Sequence, residues 1–132
     1  MCQVGDIILV DHYKDNGNNL SKHSFVVIDD RDGTIEGMPY DMICNVLSSF
    51  KSEVQKQRKL SYPGNFPIAS DDTVTYPHNS KSGYIKMDQL YYFKKDKLQF
   101  RTIGTMNSDV LELLFEFLEE SDFEIFDIID NL

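Results

Sequence analysis

Three histidines, His12, His23 and His78, are the side chains here whose ordinary titration falls near neutrality. His23 follows Lys22 and opens Ser24-Phe25-Val26-Val27-Ile28, at a loop–strand junction. An imidazole at such a place can serve as a general acid or base; a lone histidine there is also, most often, just an exposed polar residue. His12 and His78 belong to no motif and read as surface residues. Ser48-Ser49 ends another apolar run, where hydroxyls ordinarily serve turn chemistry. Beyond them, Lys51, Lys56, Arg58 and Lys59 share a nine-residue stretch with a single acid, Glu53. That run is either a solvated face or a patch that tracks phosphates. Tyr62, Phe66 and Tyr76 follow it and can stack on unpaired bases, although Tyr62-Pro63-Gly64 also suits a rigid turn. The pattern holds no Ser-His-Asp or Cys-His arrangement. Cys2 and Cys44 are far apart and outside metal-ligand spacing. Cys44 reads as a small apolar strand residue, so neither a metal nor a disulfide is expected.

These residues need a scaffold, and the chain reads as short strands followed by one helix. Ile7-Ile8-Leu9-Val10 is a buried strand. His12 to Ser21, rich in Asn, Asp, Gly and Lys, reads as an exposed loop. Ser24 to Ile28 is a second strand, stopped at Asp29-Asp30-Arg31-Asp32-Gly33, whose Asp-Gly pair suits a hairpin with a short pairing segment near Thr34-Ile35. A third strand runs from about Asp41 to Leu47. Phe50 to Leu60 can hold a helical turn or two, and Ser61 to Ser82, with three of the four prolines, reads as a long irregular excursion. Gly83–Lys86, Gln89–Phe93 and Phe100–Gly104 read as strands, with a charged turn at Lys94–Lys97. From Asn107 the period changes: Val110, Leu111, Leu114, Phe115, Phe117 and Leu118 recur at helical spacing, and Asn107 or Ser108 can cap the helix. A helix over 107–120 and an acidic tail over 121–132 follow. The whole is a single domain, 1–132, mainly β (α+β): a small, twisted, partly closed barrel with an amphipathic helix packed on it.

The 132 residues are enough to bury a core, and a 41% hydrophobic fraction fits a folded globule. No run approaches the ~18 apolar residues of a membrane span, and the N-terminus lacks signal-peptide features; a reducing cytoplasm is the expected compartment, with no membrane role. The formal net charge is -9, and it is unevenly placed. Nine acids and no base fall between Asn107 and Leu132, so the remaining 13 acids balance the 13 Lys and Arg of residues 1–106. Repulsion of a nucleic acid therefore applies to the C-terminal end alone. Its acid-plus-aromatic pattern serves solubility, or else mimics RNA and covers the basic run.

Three segments in order resemble the MazF/PemK toxin family: Gly5-Asp6-Ile7-Ile8-Leu9-Val10, Lys22-His23-Ser24-Phe25-Val26-Val27-Ile28, and Cys44-Asn45-Val46-Leu47-Ser48-Ser49. Gly83 to Leu90, and Ile103-Gly104 before the helix, agree in layout. The resemblance covers nearly the whole chain. It implies an SH3-like, partly open barrel of the MazF/PemK/CcdB type and a homodimer. It also implies a type II toxin–antitoxin endoribonuclease that cuts single-stranded RNA (mRNA), needs no cofactor or metal, and is neutralised by a cognate antitoxin protein. The family's active Arg and Thr fall, by position, on His23 and on Ser48, with Ser49 as the alternative register. With Ser48 in that role, the adjacent basic run and its tyrosine become the expected RNA contacts, Lys51, Lys56, Arg58, Lys59 and Tyr62, together with Lys22 beside His23. The family's Arg-Pro is His23-Ser24 here, so a fixed cation is replaced by a titratable ring. Either His23 moves protons, or the barrel persists as a weakened or inactive regulator that binds protein or nucleic acid. A gyrase-directed poison, from a related family sharing the barrel, finds no specific support in these residues.

Overall fold

In the computed structural model, which describes residues 3–30, 40–77 and 81–131, two long strands are joined by a two-residue turn. Strands β1 (Asp6–Asp15) and β2 (Asn18–Asp30) pair antiparallel up to Asp15↔Asn18. Asn16 and Gly17 both take positive φ, 50° and 85°, the backbone that a type I′ turn requires and that Asn-Gly adopts at least cost. The polar stretch His12 to Ser21, expected as a loop, is thus the outer half of a hairpin. Its side chains are polar because they face solvent, and Tyr13 alone turns inward. The expected turn at residues 29–33 and the pairing near 34–35 fall largely outside the described residues, as do Cys2 and His78.

Strand β3 (Met42–Ser49) pairs with β2 along one edge. Along its other edge lie β6 (Gly83–Lys86), opposite residues 47–49, and β7 (Gln89–Phe93), opposite residues 42–44. Both run antiparallel to β3, so they point the same way, as two stretches of one strand interrupted at Met87-Asp88. Asn45, fully buried, spans the interruption: its Nδ2 donates to the carbonyls of Lys86 (3.1 Å) and Gln89 (2.8 Å).

The segment 61–82, expected to be irregular, carries two short strands. β4 (Asn65–Ile68) pairs with β6, and β5 (Thr73–Thr75) pairs with β8 (Phe100–Met106), which closes on β1. Pro67 is tolerated because β4 ends the sheet path and need not donate on its outer side. The Lys95–Lys97 turn is a single 3-10 turn. Together the strands form one mainly antiparallel sheet, ordered β4-β6-β3-β2-β1-β8-β5, with β7 on β3 and a last strand, β9 (Phe126–Ile128), parallel to β7.

Strand alternation divides the core. Phe25 and Val27 join Val10, Val46, Tyr91 and Phe93 in one cluster. Val26 faces the other way, into a cluster with Ile85, Met87 and, from helix α2 (Ser108–Glu119), Val110 and Leu114. Burial on both faces explains why β2 reads as an unbroken apolar run. Asn107 occupies the N-cap position of α2, yet its side chain donates to the Asp71 carbonyl and not to the helix. After α2 the tail docks: Ile128 enters the first cluster, Asn131 exchanges two hydrogen bonds with the Lys14 backbone, and Asp130 accepts from the Gly17 amide. Among the described residues no helix is long and apolar enough to cross a membrane.

Candidate functional site

His23 and Phe25 lie two residues apart on β2, and Ser48 and Val46 two apart on β3, so each pair shares a face. Phe25 and Val46 are register partners, as are Ser24 and Leu47. One more step along that register sets His23 across from Ser48. The two apolar rows of the core thus end in an imidazole and a hydroxyl, with His23 Nε2 3.2 Å from Ser48 Oγ. Tyr13 and Phe25 present their rings edge-on to the imidazole, each at 6.3 Å between centroids. Burial among these groups lowers the His23 pKa below its ordinary value, and a hydrogen bond with the Leu47 backbone opposes that shift only in part. The shift favours the neutral ring. In that form one ring nitrogen is a proton acceptor, and Ser48 can donate to it or turn toward a ligand.

The pair opens onto a cleft of about 870 Å³. Four lysines, Lys22, Lys51, Lys59 and Lys81, belong to its lining, and no acidic side chain does among the described residues. Two of the four come from the segment around helix α1 (Glu53–Leu60). Ser52 caps that helix, its Oγ accepting from the Gln55 amide at 3.1 Å, while Gln55 Oε1 accepts from the Lys51 amide at 2.6 Å. This reciprocal cap starts the helix directly after β3 and sets Lys51 at the cleft. α1 buries none of its residues, so packing does not explain its composition. The Phe50 and Tyr84 rings lie 5.3 Å apart between centroids, tilted by 30°, with Lys56 Nζ 5.9 Å from the Phe50 ring and Lys59 Nζ 6.0 Å from the Tyr84 ring. Ammonium groups over aromatic faces are held by the ring quadrupole.

Of the residues singled out from the sequence, His23 and Ser48 are brought together, and Ser49, Lys22, Lys51 and Lys59 share their cleft. Lys56 stands beside it on Phe50. Arg58 is exposed and does not reach the cleft. Tyr62 lines a different recess. Phe66, considered for base stacking, is half-buried, packs edge-on with Phe117 against the second core cluster, and does not line the cleft. Tyr76 is exposed but outside the cleft. The acidic tail also stays out of it, since its end is anchored on the β1–β2 hairpin. Sequence reasoning missed Lys81, Ser82 and Tyr84. They reach the site because β6 pairs with the end of β3 and the Phe50 amide donates to the Ser82 carbonyl at 3.1 Å, a long-range pairing with no local signal.

Among the described residues no group of three or more His, Cys, Asp or Glu side chains is placed to hold a metal ion. No family model, curated protein or solved structure matches the chain.

Proposed function

We propose that the chain is an endoribonuclease of the MazF/PemK kind, cutting single-stranded RNA in the cleft around His23 and Ser48. One observation carries this reading: an imidazole and a hydroxyl 3.2 Å apart line a cleft that gathers four lysines and, among the described residues, no acid, in a chain of net charge -9. So local an excess of positive charge in an acidic protein suits a polyanion.

In this mechanism His23 takes the proton of a ribose 2′-hydroxyl. The freed oxygen bonds to the adjacent phosphorus, and the P–O5′ bond breaks. The products are a 2′,3′-cyclic phosphate and a 5′-oxygen, which leaves with a proton returned from the imidazolium or supplied by water. Ser48 swings from Nε2 to donate to a non-bridging phosphate oxygen. Lys22 and Lys51 offset the charge that builds up there, the part the family gives to its arginine. The nucleophile belongs to the substrate, so the site needs no third member beyond His23 and Ser48. On this reading the sheet closes as an SH3-like barrel, the protein pairs as a homodimer in the cytoplasm, and a small antitoxin protein occupies the same cleft.

The replacement of a fixed cation by His23 favours one alternative, a barrel that binds RNA or protein as a regulator without cutting. A single experiment separates the two. A long single-stranded RNA is incubated with the protein in EDTA, beside His23→Ala and Ser48→Ala, and the ends are mapped. Cleavage by the wild type, reduced about 10²-fold or more by His23→Ala, supports the enzyme; RNA left whole by a protein that still binds it supports the regulator.

A further inference from the structure

A second recess of about 460 Å³ opens where α1 ends, and Lys59 lines both it and the cleft of His23 and Ser48. Tyr62, 54% exposed, stands in its lining with Lys86, Asp88 and Glu124. The loop that carries Tyr62 is tied down: Asn65 Nδ2 donates to the Lys59 carbonyl at 2.8 Å, and the Asn65 amide donates to the Tyr62 carbonyl at 3.2 Å. Gly64 leaves room for Asp88, because a Cβ there would stand 2.8 Å from the Asp88 Cβ. Asp88 Oδ1 has no hydrogen-bond donor among the described residues and is shut off from solvent. Asp88 nonetheless belongs to the lining of the recess, so it is through its other oxygen, Oδ2, that the carboxylate can accept from a donor-bearing ligand there.

The chemistry of the recess is not that of a phosphate site, since two carboxylates share it with the two lysines. It suits a nucleobase: an aromatic face for stacking on Tyr62, ammonium groups for the flanking phosphates, and a carboxylate for the base edge. Guanine alone among the RNA bases presents two neighbouring donors, N1–H and the N2 amino group, on one edge. Adenine and cytosine offer one amino group beside an acceptor, and uracil sets carbonyls on both sides of its N–H. Resting on the ribonuclease reading above, we propose that this recess is a guanine-binding subsite for a nucleotide neighbouring the cut. Asp88 accepts from the guanine edge, Tyr62 stacks on the ring, and Lys59 bridges to the cleft.

Short fluorescein-labelled RNAs test this by anisotropy, each carrying one guanosine at a successive position in an oligouridine background, 2′-deoxy at each candidate cut. Inosine counterparts remove only the N2 amino group. The wild type is expected to bind guanosine about tenfold tighter than inosine at one position, the size of one hydrogen bond to a charged group. Asp88→Asn should erase that difference between guanosine and inosine, and Tyr62→Ala, at an exposed position, should weaken all the RNAs alike. Binding that ignores guanosine at every position overturns the guanine subsite and leaves the ribonuclease reading standing. So does an undiminished guanosine preference in a folded Asp88→Asn protein. Failure of the wild type to bind or cut any RNA overturns both.

Discussion

Asn45 donates to the carbonyl of Lys86, and through that bond the buried amide fixes β6 against the end of β3 that carries Ser48. Its second bond, to Gln89, holds β7 in line beyond the break. Replacing Asn45 by Leu would leave two interior carbonyls without their donor, at about 1–3 kcal/mol each. Urea unfolding should therefore show a loss on the order of 2–4 kcal/mol. A loss under about 1 kcal/mol would mean that water or a shifted backbone takes over both bonds.

Gly83 stands where β6 meets the same strand, and a Cβ there would lie 2.1 Å from the Ser48 carbonyl oxygen. Neither side is a flexible side-chain end, so one strand must move. Gly83→Ala should cost stability well above a surface substitution, about 2 kcal/mol or more, and should lower RNA cleavage further than the stability loss explains. Gly17→Ala is the contrasting case. Nothing lies within 4 Å of a Cβ at Gly17, but its φ of 85° remains, so the cost is the backbone's alone, about 1 kcal/mol, with RNA cleavage unchanged. Thermal melts alongside cleavage assays compare the two.

The lowered pKa of His23 has a definite sign. In the unfolded chain the ring titrates near ~6.5, so between that value and its lower folded value the unfolded state binds more protons. Its contribution to stability is complete above ~6.5, is lost as pH falls, and stops changing below the folded pKa. The acid limb of RNA cleavage should likewise have its midpoint below ~6.5. An NMR titration of the His23 ring reads the shift directly. A midpoint at or above 6.5 would place the ring in a wetter setting than its packing against Tyr13 and Phe25 describes.

Charge removal in the cleft tests its proposed link to RNA. Single Lys→Ala changes at Lys22, Lys51, Lys59 and Lys81 should each weaken binding of single-stranded RNA and reduce the slope of log affinity against log salt by about 0.7. Arg58→Ala should leave the slope nearly unchanged, because Arg58 stands outside the cleft. Equal effects from all five would point to diffuse attraction by α1 and not to a bound track.

Much of this was legible in the residues. Apolar runs marked β2 and β3, the change of period at Asn107 marked α2, and the resemblance to the toxin family, carried over by position, set His23 and Ser48 together as candidates. The hairpin at Asn16-Gly17 was obscured by its own polarity: strand ends that, Tyr13 apart, face solvent have the composition of a loop, although the Asn-Gly pair was a usable signal. The strands within 61–82 were hidden for a different reason. β4 and β5 are four and three residues long, too short for a period to be read, and they exist because β6 and β8 offer them edges.

The sequence by itself determined local preference: which runs are apolar, where a turn can form, where a helix starts, and how far the acids are kept from the bases. Tertiary structure alone decided that an imidazole and a hydroxyl 25 residues apart would meet, and that Lys81, Ser82 and Tyr84 would complete their cleft. Strand parity is written in the chain, but which strand pairs with which, and in what register, is a property of the whole sheet. It emerges only when both faces of β2 around Phe25–Val27 are buried at once, one against each core cluster.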